Sequence, residues 1–385
     1  MIERPIQLEY NHRILFTQGA FELENLTMVD LLVSGDRVPR ILVAVDAGVA
    51  GGNPELLDQI RVYFAENSER LELAGDPLVI EGGEPCKNDW GRVPAIWSEI
   101  NDRELDRHSY VIAIGGGAFL DLLGFASATA HRGIRHVRMP TTTLSQGDGG
   151  VGVKNGVNFF GKKNWVGTFS VPHAVVNDLV FLKTLPERER RAGVIEAIKV
   201  ALIRDVDFFN AMEEGRADLG ALEASALEMV IRRSAALHVE HIATGGDPFE
   251  LGSARPLDFG HWAAHKLEQI SDFAIGHGEA VAIGIAIDLL YAVEADLLSA
   301  EDCARILDLI EGVGFKLFSP HLMTRNGDGE LFILRGLEEF REHLGGELTI
   351  TLVTAPGESI EVHEMDAAKV VVALERLQER ALVSG

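Results

Sequence analysis

A parallel α/β domain followed by a mainly α-helical one is the fold class this sequence predicts, and three observations predict it. Short β-type runs alternate with helical runs through roughly the first 180 residues. Long Ala-, Leu- and Glu-rich segments dominate after residue 183, and a chain of 385 residues exceeds what one core ordinarily supports. Alternation of strand and helix is what a parallel sheet requires, since each connection must cross back over a sheet face.

Taken in order, Arg40-Ile41-Leu42-Val43-Ala44-Val45-Asp46 is a continuous apolar run ended by an acid, as expected of a strand buried on both faces. A helical stretch from Asn53 to Ser68 follows. Pro77-Leu78-Val79-Ile80 and Ser109-Tyr110-Val111-Ile112-Ala113-Ile114 read as strands, and Arg135-His136-Val137-Arg138-Met139-Pro140 alternates as another. Later, Pro186 to Arg204, Leu219 to Ala243, Gly260 to Ile270, Gly278 to Leu298 and Ala300 to Gly312 read as helices. Pro186 suits a first helical turn, where its missing N–H costs nothing. Glu347-Leu348-Thr349-Ile350-Thr351-Leu352-Val353 reads as part of a late strand pair. The expected division is 1–182 for the α/β domain and 183–385 for the helical one.

Composition excludes several classes of function. The formal charge of −24 opposes sequence-independent nucleic-acid binding, which needs clustered Lys and Arg to displace counterions. Any anionic substrate must therefore meet a local basic pocket. Two cysteines, Cys86 and Cys303, allow neither a disulfide framework nor a Cys-based structural zinc site. Met1-Ile2-Glu3-Arg4-Pro5 runs into mixed polar sequence, unlike a secretory leader, and no apolar stretch reaches the length of a membrane span. A cytoplasmic location without membrane association is expected.

Three histidines carry the metal chemistry. His261 and His265 are four apart, which puts both rings on one helix face, and His277 follows within seventeen residues of His261. A lone histidine more often caps a helix or packs in a core; three so close together point to an open divalent-metal site, which takes about three protein ligands. Gly115-Gly116-Gly117 follows a strand and opens a helix at Ala118, a turn that lets backbone N–H groups approach a pyrophosphate. The strict dinucleotide fingerprint fails, because Leu120 stands where a third glycine belongs. Pro140-Thr141-Thr142-Thr143-Leu144-Ser145-Gln146-Gly147-Asp148 places hydroxyls past another strand, where ligands of open α/β sheets gather.

Between 115 and 279 the chain resembles the sugar phosphate cyclase superfamily, whose best-known member is 3-dehydroquinate synthase. The matching stretches include GGGAFLDLLGF (115–125), HRG (131–133), PTTTLSQGDGGVGVKNGVN (140–158), GKKNWVG (161–167), GVIEAIK (193–199), DFGHWAAH (258–265) and GHGEA (276–280), in the family's order. The resemblance implies that Glu196, His261 and His277 hold a catalytic Zn²⁺, with Co²⁺ as the alternative cation. It implies an NAD site lined by Gly115, Gly116, Gly117, Asp121, Thr141 and Thr142, together with Asp46, Glu84, Lys87 and Thr184, with Lys163 as a polar contact. Asp148, Lys154, Asn164, Lys199 and His265 would face the sugar phosphate. Arg132 matches an arginine that reaches the phosphate across a dimer interface, which implies a homodimer. Glu196 and Lys199, three apart on one helix, share a face; such pairs are ordinarily solvated.

The family reaction that this resemblance implies is a cycle on one sugar phosphate: transient oxidation by NAD⁺, β-elimination of phosphate, re-reduction, ring opening and intramolecular aldol closure. Several positions depart from 3-dehydroquinate synthase. Leu237-His238-Val239-Glu240-His241 lacks the family's lysine, Ala254 stands in the arginine slot beside Arg255, Asp258 replaces an asparagine, and His343 lies where Asp-Lys-Lys is usual. These changes remove positive charge where a substrate carboxylate would sit, and Asp258 and His343 suit a neutral polyol end instead. They resemble the C7-cyclitol synthases, which act on sedoheptulose 7-phosphate and give valiolone-type products. His265 stands where 2-epi-5-epi-valiolone synthases typically carry proline, so the product stereoisomer stays open. The alternatives are 3-dehydroquinate synthase itself, acting on 3-deoxy-arabino-heptulosonate 7-phosphate, a metal-dependent polyol dehydrogenase, and a non-catalytic protein that keeps the fold.

Overall fold

The computed structural model describes residues 1–6, 8–245, 249, 256–327, 329–343 and 346–384. The chain divides into two compact units, Met1–Pro186 and Glu187–Gly385.

Strands of the first unit are β1 (Ile14–Thr17), β2 (Arg40–Asp46), β3 (Glu72–Leu73), β4 (Leu78–Ile80), β5 (Tyr110–Gly115), β6 (Arg135–Pro140), β7 (Lys154–Phe159), β8 (Lys162–Phe169) and β9 (Ala174–Asp178). Seven of them make one parallel sheet in the order β1-β9-β6-β5-β2-β3, with β4 also pairing β2. Alternate residues of the central strands feed opposite cores. Ile41, Val43, Val45, Ile112 and Ile114 enter one, whereas Leu42, Ala44, Val111 and Ala113 enter the other. That two-sided burial is why these strands are apolar throughout and legible as runs.

Four expected strands form, and others appear that no run announced. β1 and β9 are only four and five residues long. β7 and β8 form an antiparallel hairpin apart from the sheet, and β8 is mostly exposed. Its Lys, Asn and Gly residues show none of the apolar alternation that marks a half-buried strand.

Register decides where the site can lie. Gly115 pairs with Pro140, and the Thr141 N–H donates to the Gly115 carbonyl at 3.1 Å. The triple-glycine turn and the threonine-rich turn therefore open side by side at the carboxyl ends of β5 and β6, where open α/β sheets bind ligands.

The second unit is mainly helical, with a two-stranded pair β10 (Ile350–Ala355) and β11 (Glu358–Val362). The helix expected across Leu219 to Ala243 is two. Arg216–Gly220 stops short of Leu222, whose φ of 57° breaks the winding, and Ala224–Thr244 begins after it. At the centre runs the His277–Glu294 helix, buried along nearly all of its length, as its near-continuous apolar sequence requires. It packs on Glu187–Arg204 and on His261–Ile270. Among the described residues, no helix is long and apolar enough to cross a membrane.

Candidate active site

Glu196, His261 and His277 come from three different helices of the second unit, and one ligand atom from each lies within 4.8 Å of the others. His261 Nε2 is 3.9 Å and His277 Nε2 3.6 Å from Glu196 Oε1. Both Glu196 oxygens are buried and meet no hydrogen-bond geometry. A buried carboxylate without hydrogen bonds is costly unless charge compensates it. Part of that charge is Lys199, whose Nζ lies 2.5 Å from Glu196 Oε2; the two side chains are 3% and 2% exposed. This i,i+3 pair is therefore buried, unlike the solvated pairs that such spacing ordinarily marks.

His261 Nδ1 lies 3.1 Å from the Phe259 carbonyl, which fixes the proton on that nitrogen and leaves Nε2 as a lone-pair donor facing Glu196. Two imidazoles and a carboxylate, two of the three buried and one carboxylate under-satisfied, fit a divalent cation of the zinc type. The electrostatics run the same way. Burial, then the nearby Lys199, pushes His261 down to about 3, so its ring is neutral and able to ligate. Burial opposes charge on His277 too, but Glu196 and Glu268 outweigh it and raise the ring to about 9. Burial pushes Glu196 upward, yet Lys199 and the histidines hold it well below the ordinary carboxylate range.

His265 is exposed, with its ring centroid 5.4 Å from that of His261 and 6.1 Å from that of His277. Asp258 is half-buried in the turn Pro256–Asp258. The side chain of His343 and residues Ala254 and Arg255 lie outside the described residues.

In the first unit, Lys87 Nζ donates to Asp121 Oδ2 at 2.8 Å and also to Asn164. Asn158 ties in the rest, donating to Glu84 at 2.8 Å and accepting from the Asn164 N–H at 2.8 Å. Glu84, Lys87, Asp121, Asn158 and Asn164 thus form one network. Asn164 joins the expected cofactor residues there, held by a left-handed bend (φ 52°) in the β7–β8 hairpin. Asp46 ends β2 and accepts from the Gly48 N–H at 2.8 Å; a Cβ at Gly82 would lie 1.9 Å from its Oδ2, so a side chain there would displace that carboxylate. Thr184 bonds Asn53 at 3.1 Å, and the Thr142 hydroxyl meets that of Ser145 at 2.8 Å.

The Gly117–Thr129 helix starts from an extended Gly116 with no side-chain cap, and a Cβ placed on Gly117 would meet nothing within 4 Å. Open space over uncapped N–H groups fits a pyrophosphate. Asp148 lies in a π-helical turn, Ser145–Gly149. Lys154, Lys163 and Arg132 are exposed, the last with φ 63°.

Motif reading passed over Asn158, Asn53, Glu268 and Asp288. Asp288 is fully buried and accepts from Gly260 N at 3.0 Å and Trp262 Nε1 at 2.8 Å, one residue to each side of His261. It lies on the apolar His277–Glu294 helix, and an acid in such a segment is the one available clue.

Two family models match adjoining stretches of the chain, 3-dehydroquinate synthase N-terminal over residues 77–192 and 3-dehydroquinate synthase C-terminal over 193–326. The chain is 32% identical over 361 residues to a 2-epi-5-epi-valiolone synthase of Streptomyces glaucescens, covering 92% of this chain and 87% of that one. It is 40% identical over 249 residues to a 3-dehydroquinate synthase of Solibacter usitatus, covering 64% and 69%. A solved 2-epi-5-epi-valiolone synthase of Streptomyces hygroscopicus subsp. jinggangensis, with NAD⁺ and Zn²⁺ bound, superposes with a TM-score of 0.85 at 27% identity, over 98% of this chain and 100% of that one. Fold and sequence together define an enzyme of the sugar phosphate cyclase class. Within that class, the chain belongs to the 3-dehydroquinate synthase-like family.

Proposed function

We propose that this enzyme is a phosphate-eliminating carbon–oxygen lyase that converts sedoheptulose 7-phosphate into a valiolone-type C7 cyclitol. The observation that carries the reading is the extent of likeness. Similarity to two 2-epi-5-epi-valiolone synthases runs over 92% and 98% of this chain, whereas 3-dehydroquinate synthase matches, one of them at 40% identity over 64% of the chain and another at 35% over 74%, cover less of it. Asp258 and the lysine-free Leu237-His241 segment support it, because a substrate carboxylate would find repulsion there and a polyol hydrogen bonds.

A divalent cation on Glu196, His261 and His277 would lower the pKa of a substrate hydroxyl and polarise the derived ketone, and NAD⁺ on the first unit would take and return the hydride. The chain's own groups do the rest. Lys199, charge-paired with buried Glu196, is the cation placed to meet a substrate oxygen beside the metal centre. Exposed His265, beside two rings that the fold holds in place, carries protons to and from the substrate. Lys154, Lys163 and Arg132 supply the local positive charge for phosphate that a −24 chain otherwise lacks. Asp148 and Asn164 orient sugar hydroxyls. The reading includes a cytoplasmic homodimer in which Arg132 serves the neighbouring subunit.

The test compares two substrates. Purified enzyme with NAD⁺ and Zn²⁺ is expected to release phosphate from sedoheptulose 7-phosphate while NADH absorbance stays flat. Release from 3-deoxy-arabino-heptulosonate 7-phosphate alone would replace the substrate. Steady growth of NADH would replace the reaction with that of a polyol dehydrogenase.

A further inference from the structure

Glu268 takes part in none of the steps above, yet it is built against the metal centre. It lies on the His261–Ile270 helix with 8% side-chain exposure, and its Oε1 is 3.5 Å from His277 Nδ1. On the other side of the same ring, Nε2 faces Glu196 Oε1 at 3.6 Å. His277 therefore stands between two buried carboxylates, one at each nitrogen.

An imidazole that ligates through one nitrogen carries its proton on the other, and whatever accepts that proton sets the ring's plane. His261 meets the requirement with the Phe259 carbonyl at 3.1 Å from its Nδ1. His277 begins its helix and has Glu268 in the equivalent place. The backbone at Glu268 is itself held, since its carbonyl accepts from Phe273 N at 2.8 Å and Ser271 Oγ at 3.1 Å where the helix ends.

We propose that Glu268 is a positioning residue that fixes the tautomer and plane of His277, aiming Nε2 at the point shared with Glu196 and His261. The proposal rests on the metal-centre reading above. The competing arrangement is a separate cation on His265, Glu268 and His277, whose ligand atoms also lie within 4.8 Å of one another. Burial favours the first: Glu196 and His261 form a dry pair, whereas His265 is exposed.

The experiment titrates the metal-stripped full-length protein with Co²⁺, following visible d–d absorption, stoichiometry and competition with a chelator. Glu268→Gln and Glu268→Ala are compared with the parent, and Glu196→Gln is the reference. Circular dichroism reports folding, and the isosteric Gln variant keeps the test available where Ala does not fold. The parent is expected to bind one Co²⁺ per chain. Both Glu268 variants should keep that stoichiometry with affinity lowered about 10- to 100-fold and an altered absorption band. Unchanged affinity and band in both would overturn the proposal, as would a second Co²⁺ in the parent that both variants lose. Unchanged binding in Glu196→Gln would instead overturn the metal-centre reading, and the positioning role with it.

Discussion

Asp258 bears the substrate reading at the scale of one side chain. It stands three residues before His261, half-buried, where it would oppose a substrate carboxylate and accept from a hydroxyl. Asp258→Asn is expected to raise kcat/KM for the carboxylated heptulosonate relative to sedoheptulose 7-phosphate about tenfold, which is about 1.4 kcal/mol of discrimination. Competition between the two sugars measures it, and an unchanged ratio removes Asp258 from the argument. The side chains differ in how legible they were. His261 and His277 were visible because both sit in short contiguous motifs. Asp288 and Glu268 are single acids in helical sequence, and their importance comes from what faces them: Gly260 N and Trp262 Nε1 for one, His277 Nδ1 for the other.

Between elements, the decisive contact is the crossing of the His261–Ile270 and His277–Glu294 helices. Gly260, at φ 78°, starts the first, and a Cβ at Gly284 on the second would lie 2.0 Å from the Gly260 carbonyl oxygen. The two backbones approach because neither position carries a side chain, and that approach brings His261 and His277 to one centre. Gly284→Ala forces them apart, since the obstacle is backbone and cannot swing away. The expected cost is about 2–3 kcal/mol in urea unfolding, with weakened Co²⁺ binding alongside. A midpoint equal to the parent's would show that the helices have room to spare. The β7–β8 hairpin teaches the converse. Its residues enter the candidate site through Asn158 and Asn164, yet no periodicity announced it, because β8 is mostly exposed and the buried stretch of β7, Asn155 to Asn158, carries asparagine and glycine with Val157 as its one apolar side chain.

Over the whole molecule, stability should depend on pH through buried histidines, and His136 is the clearest case outside the metal centre. It lies in β6, 7% exposed, with Nε2 making no hydrogen bond. Burial first, and then the charge of Arg138, holds it well below the ordinary histidine range. The sign follows from linkage. Below about pH 6.5 the unfolded chain takes up a proton that the folded chain refuses, so stability falls by about 1.4 kcal/mol for each pH unit of acidification. His136→Gln removes that proton's share. Urea midpoints at about pH 7.5 and about pH 5.5 should then converge relative to the parent; equal slopes would show that His136 is charged when folded.

Sequence alone determined the α/β and helical halves, the apolar strands and the family, and it nominated most of the residues proposed for the site. Motifs and periodicity are properties of neighbours along the chain, and physical chemistry acts on them locally. Only the tertiary structure decided that the Glu196–Lys199 pair is buried, that Asn164 belongs with Lys87, and that His277 lies between Glu196 and Glu268. Burial and pairing are set by residues far apart in the chain, and no local pattern records which of them will meet.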